Sequence, residues 1–179
     1  MYINTTTSQY PVSEAEIRAA YPNTSFATPF QPPEDYAVVF PAPQPAFDPI
    51  TQGVREIAPE LTNKGWYEQR WETYALDAAT IAANQAAADK ALYDGIVAAT
   101  QQRLDTFAQG RGYDSILSAC TYASSSVVKF ATEGQYCVDA RDATWEALLT
   151  MLAEVQAGTR PRPSGYADIE AELPPLVWP

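Results

Sequence analysis

Apolar residues recur along this chain with changing rhythm, and each rhythm points to a different kind of element. Between residues 53 and 75, in "GVREIAPELT" and "GWYEQRWETYA", strand-like residues alternate in type, a period of two that predicts two β-strands. The joining "TNKG" offers Asn63 and Gly65 for the positive φ angles of a tight turn, so the two strands are expected to form a hairpin. Alternation puts Arg55, Ile57, Pro59 and Leu61 on one face of the first strand. Tyr67, Gln69, Trp71 and Thr73 share a face of the second, with Trp66, Glu68, Arg70 and Glu72 opposite. An isolated hairpin is marginal in water; this one is expected to add a third strand or to lie against another surface.

Past residue 77 the rhythm becomes helical. "LDAATIAANQAAADKALYDGIVAATQQRLDTFAQG" contains no proline and closes on Gly110, which predicts one long helix with a glycine C-cap. Its second half carries a true apolar stripe, Tyr93, Ile96, Val97, Thr100, Leu104 and Phe107. Its first half is alanine-rich and admits two readings: a solvated spacer, or a close-packed seam on which Ile81, Ala88 and Leu92 would lie. A shorter helix follows, with Tyr113, Ile116, Leu117, Cys120 and Ala123 on one face and a break at the serines of residues 124–126. The last long helix is expected over residues 138–157, with Trp145, Leu148, Leu149, Leu152 and Val155 on one broad face and Gly158 as its cap. The three faces predict a small helical bundle with Phe107, Ile116, Leu117, Trp145, Leu149 and Leu152 in its core.

The chain flanking these elements is proline-rich. Over residues 1–50, and above all in "TPFQPPEDYAVVFPAPQPAFDP", proline fixes φ and removes N–H donors, so an extended, loop-like arm is expected in place of a packed core. Two exceptions stand out. "SEAEIRAAY" has Ser13 at the N-cap and Glu16 at N3, a capping box, and ends before Pro22. "DYAVVF", residues 35–40, reads as a strand at a sheet edge. The tail "TRPRPSGYADIEAELPPLVWP" returns to proline-rich chain with one helical turn at residues 166–172. Its apolar end either folds back on the bundle or enters a groove on a neighbour. The fold class expected is therefore α+β, divided as residues 1–76 (arm and hairpin, or a three-stranded sheet), 77–110 (long helix) and 111–179 (helical bundle and tail).

Charge and composition narrow the function classes. With 11 basic and 22 acidic residues the net charge is −11, which repels phosphate backbones, and no local basic patch offsets it; nucleic acid is not an expected partner. No window reaches the roughly 18 consecutive apolar residues of a membrane span, and the opening residues lack a secretory pattern, so no membrane is expected and a cytoplasmic origin is. There is no histidine. That removes the usual base of nucleophilic triads and leaves Cys120 and Cys137 without partners for a zinc site; both are expected as buried thiols, with a disulfide between them as the alternative. The carboxylate pairs Asp139/Asp142 and Glu170/Glu172 read as solvated charge. No phosphate loop or EF-hand series occurs. Neither catalytic residues, nor a cofactor, nor a metal are expected.

What remains is surface aromatic character. Trp66, Tyr67, Trp71 and Tyr74 of the hairpin form either a small core or a docking face, and Leu176, Val177 and Trp178 form a second candidate contact. The succession "YPVSEAEIRAAYPNTSFATPFQPPEDYAVVFP", the hairpin "VREIAPELTNKGWYEQRWETYAL" and the alanine-rich helix, over residues 10–99, resembles the N-terminal part of tail and tail-fibre-assembly-like proteins of tailed bacteriophages. "RLDTFAQGRGYDSILSACTYASSSVVKFATEGQYCVDARDATW" resembles segments near the ends of such proteins. The resemblance implies a virion tail component (fibre, baseplate or adaptor subunit) assembled in the host bacterial cytoplasm. Its partners would be other tail or fibre proteins, in a homo-oligomer or a larger symmetric assembly. The alternative it implies is an assembly chaperone that leaves the particle.

Overall fold

A computed structural model describes all residues, 1–179. The protein is α+β, with four helices and a mixed four-stranded sheet. It divides into two compact units, Met1–Gln85 and Ala86–Pro179, so the boundary falls inside the long helix and not at either of its ends.

The first unit contains β1 (Tyr2–Asn4), α1 (Glu14–Ala20), β2 (Tyr36–Phe40), β3 (Gln52–Leu61) and β4 (Tyr67–Ala75). The strand order is β1-β2-β4-β3, with β2 antiparallel to β1 and parallel to β4, and β3 antiparallel to β4. The hairpin is present and "DYAVVF" joins it. The expectation of an edge position for that strand is corrected, however: β2 is bonded on both sides, Val38 opposite Tyr2 and Val39 opposite Tyr67. Proline does not forbid this, because Pro33 and Pro41 lie just outside the ladder and remove none of its donors.

The β3/β4 register slips by one residue between Ile57 and Glu60. Pro59, buried there, has no N–H for the ladder, and a bulge is where a strand tolerates it. In the five-residue connection, Gly65 alone takes a positive φ (85°); Asn63, expected to share that role, does not.

The proline-rich segment is also more packed than composition suggests. Ile3, Val12, Ile17 and Val39 are buried, and Arg18 of α1 lies over the rings of Phe26 and Phe30 at 5.1 and 4.8 Å. Regular structure is sparse there, but two short strands and one capped helix contribute to a small core.

Helix α2 (Ala78–Gln109) begins in the first unit, where Asp77 accepts the Thr80 N–H at 2.9 Å, and runs into the second. There it is joined by α3 (Ile116–Cys120), a 3-10 turn at Thr121–Ser124, α4 (Val128–Gln156) and two further 3-10 turns, Tyr166–Asp168 and Glu170–Glu172. The serine run does break the helix, but α4 starts ten residues earlier than expected. Gly134, which looks like an interruption, is instead a packing site: a Cβ there would lie 2.3 Å from the backbone nitrogen of Ala123. Gly158, φ 71°, follows the last turn of α4 in the left-handed conformation expected of its cap.

The buried cluster of this unit is Leu104, Ala108, Ile116, Ala119 and Cys137, with Tyr113, Tyr136, Trp145 and Trp178 against it. Leu117 and Leu149, expected in the core, are 55% and 62% exposed. Helix α3 has one turn to offer and buries Ile116 and Ala119, three apart; Leu117 is rotated about 100° away from that line.

Candidate interaction surfaces

The two faces of the hairpin differ in kind. On one, Glu56, Trp71 and Gln69 are tied to the rest of their own unit. The Trp71 indole donates to the Ala42 carbonyl at 2.9 Å, the Ala42 N–H donates to Gln69 at 3.3 Å, and Gln69 donates to the Glu56 carboxylate at 2.8 Å. The Tyr10 hydroxyl also donates to Glu56; burial first, and that carboxylate second, push it up to about 12. Trp71 is thus a structural residue, and this face is closed by residue 42 of the proline-rich segment.

The opposite face is open. Arg55 makes a two-nitrogen contact with Glu72, directly across the ladder, at 2.9 and 2.7 Å, and its guanidinium lies 5.4 Å from the ring of Tyr74. Tyr74 leans over Gly53, where any Cβ would sit 2.5 Å from the ring. Nothing in the unit covers the outer side of that ring, which leaves Tyr74 42% exposed. At the turn end Trp66 tilts against Phe40 at 6.0 Å with the Lys64 ammonium 5.3 Å from its ring, yet Phe40 and Trp66 both remain exposed. Of the four aromatic candidates, Trp66 and Tyr74 present surface, while Tyr67 and Trp71 are half-buried on the other side. Exposed Phe40, which extends the patch, had no distinguishing mark in the sequence beyond its place at a strand end; exposed Leu61, shifted by the bulge to lie opposite Tyr67, belongs to the other face.

In the second unit the apolar tail folds back on its own bundle. Trp178 stacks on Phe107 with centroids 4.3 Å apart and planes 12° apart, with Tyr113 and Tyr136 at 6.1 and 6.0 Å and the Arg111 guanidinium 5.4 Å from its ring. The Tyr136 hydroxyl accepts the Val177 N–H at 2.7 Å, and Arg103 donates to the Pro174 carbonyl at 2.7 Å. Leu176 packs on the core cluster, while Val177 is 68% exposed.

Behind this cage sits Glu133, 4% exposed, which accepts from Arg111 at 2.8 and 3.0 Å and from the Tyr113 hydroxyl at 2.8 Å. The Tyr113 hydrogen bond, with Arg111 beside it, outweighs burial and holds the Glu133 carboxyl below the usual carboxylate range. Burial and Glu133 in turn push Tyr113 up to about 12. A buried carboxylate so paired fixes the direction of Arg111, and Arg111 fixes the plane on which the indole rests. Arg111 reads in sequence as a junction residue; its partner Glu133 lies 22 positions away, so no local pattern could have linked them.

The α2 stripe and the face of α4 also line an apolar groove of about 330 Å³, including Tyr93, Ile96, Trp145, Leu149 and Leu152. Its rim cations are neutralised: Arg162 pairs with Asp89 at 2.5 Å, and Arg160 with Glu154 at 3.5 Å and with Glu172. Leu149 is exposed because it borders this groove, while Trp145 packs on the core cluster.

The remaining chemistry-bearing residues are occupied or dispersed. Asp139 accepts from Gln135 at 2.9 Å and Asp142 contacts Arg141 at 3.3 Å, both on the exposed side of α4. Cys120 and Cys137 are free thiols, and burial pushes Cys137 up to about 11. No group of three or more Cys, Asp or Glu side chains is placed to hold a metal ion, and no helix is long and apolar enough to cross a membrane. No family model, no curated protein and no solved structure matches the chain.

Proposed function

We propose that the chain is a non-enzymatic structural component of a bacteriophage tail, a fibre, baseplate or adaptor subunit whose work is protein–protein assembly in the virion. The resemblance of residues 10–99 to tail proteins supplies the phage context. The observation that carries the assembly reading is the one-sided hairpin. Trp71, Gln69 and Glu56 are satisfied within their own unit, whereas Phe40, Trp66 and Tyr74 on the opposite face are left exposed at 49%, 40% and 42%. Large aromatic side chains held at fixed positions on a rigid ladder are what protein interfaces use as anchors.

Mass spectrometry of purified virions tests the proposal. A fixed copy number relative to the major tail protein is expected; abundance in the infected lysate with absence from particles would replace the subunit by a chaperone that leaves after assembly. The double variant Trp66→Ser/Tyr74→Ser should lose incorporation while keeping its circular dichroism. Loss of the folded signal in that variant would mean that the two rings are core after all.

A further inference from the structure

The apolar groove of the second unit differs from an open helix face in having three walls. The stripe of α2 and the broad face of α4 form two of them; the third is the returning chain at Pro163 and Ile169, the latter 3% exposed. Ion pairs hold that third wall in place. Arg162 reaches Asp89 of α2 at 2.5 Å, and Arg160, with 19% of its side chain exposed, pairs with Glu154 of α4 at 3.5 Å and with Glu172. We propose that this groove is a binding site for an uncharged apolar small molecule about the size of two fused aromatic rings.

The volume sets the size of the occupant. An apolar cavity of about 150 Å³ holds one benzene ring, so the groove's volume of about 330 Å³ accommodates two rings with a short substituent. Ligand pockets of this size are lined mainly by aliphatic and aromatic groups and are largely formed in advance. Here Ile96, Trp145, Leu148 and Leu152 supply apolar surface, while Tyr93 and Leu149, 49% and 62% exposed, leave access from solvent.

Charge defines its chemistry. Asp89, Arg160 and Arg162 are the charged residues of the lining, and each is engaged in the pairs above. A carboxylate, phosphate or ammonium on the ligand would lose its hydration and find no free counter-charge, so a neutral molecule is favoured over either ion. The same pairs disfavour a partner helix as the occupant. They tie the returning chain to both helices at the end where α2 contributes Asp89 and α4 contributes Gln156, which closes that end; a docked helix needs a trough open along its length.

The test titrates the full chain into N-phenyl-1-naphthylamine, an uncharged probe whose fluorescence rises in apolar surroundings, held at a fixed low micromolar concentration. Saturable binding with Kd below about 100 µM is expected. Leu149→Glu puts a charge at the groove and should weaken it about tenfold or more, whereas Leu117→Glu, at a leucine 55% exposed and outside the lining, should leave it unchanged. If Leu149→Glu loses its helical dichroism, Tyr93→Glu takes its place. At pH 7 the neutral 1-naphthamide should displace the probe, with 1-naphthoate and 1-naphthylmethylammonium each about tenfold less effective. Absence of saturation would leave the groove to a protein partner and overturn the proposal. Equal loss in the two leucine variants, no loss in either, or equal displacement by a charged analogue would overturn it as well.

Discussion

Gly134 sits in the middle of α4 at a point where two physical effects oppose each other, and the structure decides between them. Judged by helix propensity alone, Gly134→Ala should stabilise the protein by about 1 kcal/mol, since alanine loses less backbone entropy on entering a helix. The added Cβ would, however, meet the Ala123 nitrogen at 2.3 Å, the Tyr122 carbonyl carbon at 2.5 Å and the Ala123 Cα at 2.9 Å. These are backbone atoms of the 3-10 turn and cannot swing aside as a side chain would. Overpacking of this kind costs about 1–3 kcal/mol, and with three backbone atoms in the way the upper end applies, for a net loss of about 2 kcal/mol. In a chain of this length that lowers Tm by roughly 4–8 °C. Gly95, in α2, is the control: nothing lies within 4 Å of its Cβ position, so Gly95→Ala should gain about 1 kcal/mol by propensity alone. Thermal and urea unfolding followed at the helical dichroism band measures both. If Gly134→Ala proved as stabilising as Gly95→Ala, the close approach of the turn to α4 would be wrong.

Further predictions follow from the caps and the titrating groups. Ser13→Ala removes the side chain that accepts the Glu16 N–H at 3.2 Å and should cost about 1 kcal/mol, read from the urea midpoint. Glu133 has a folded pKa below its unfolded value, so it contributes stability above pH 4.5 that is lost as pH falls through the folded value. Glu133→Gln should therefore lower stability at pH 7 and flatten the acid limb of the stability curve; an unchanged limb would refute the buried pairing. Tyr10 and Tyr113 have the opposite sign. Both are raised from 10 to about 12, so their contribution is complete below pH 10 and disappears as pH rises toward 12. Urea midpoints at pH 9 and 11 should show that fall, reduced in Tyr113→Phe.

Features defined within a few residues were legible in the chain itself. The capping box of Ser13 and Glu16 is one: both hydrogen bonds join positions three apart, and they form as the spacing demands. The hairpin, the long helix and the left-handed Gly158 are others, because alternation, absence of proline and a glycine after a helical run are local statements. Contacts of long sequence separation left no such trace. Strand β1 is three residues long and carries no measurable period, and the parallel pairing of β2 with β4 joins Val39 to Tyr67 across intervening β3. Trp71 reaches Ala42, 29 positions away, and Arg103 reaches Pro174, 71 positions away; those bonds decide which aromatic is structural and where the tail lies.

Periodicity in the chain established which stripe of each helix is apolar, since that depends only on residue spacing. It did not establish where another backbone approaches closely enough to exclude water. Only the tertiary structure decided that Leu104, Ala108, Ile116 and Ala119 are buried together, and that Gly134 lies against the turn at Tyr122 and Ala123, while Leu117 and Leu149 face outward. Where the turn backbone comes closest to α4, at Gly134, there is room only for a hydrogen, and no periodicity in the chain marks that point.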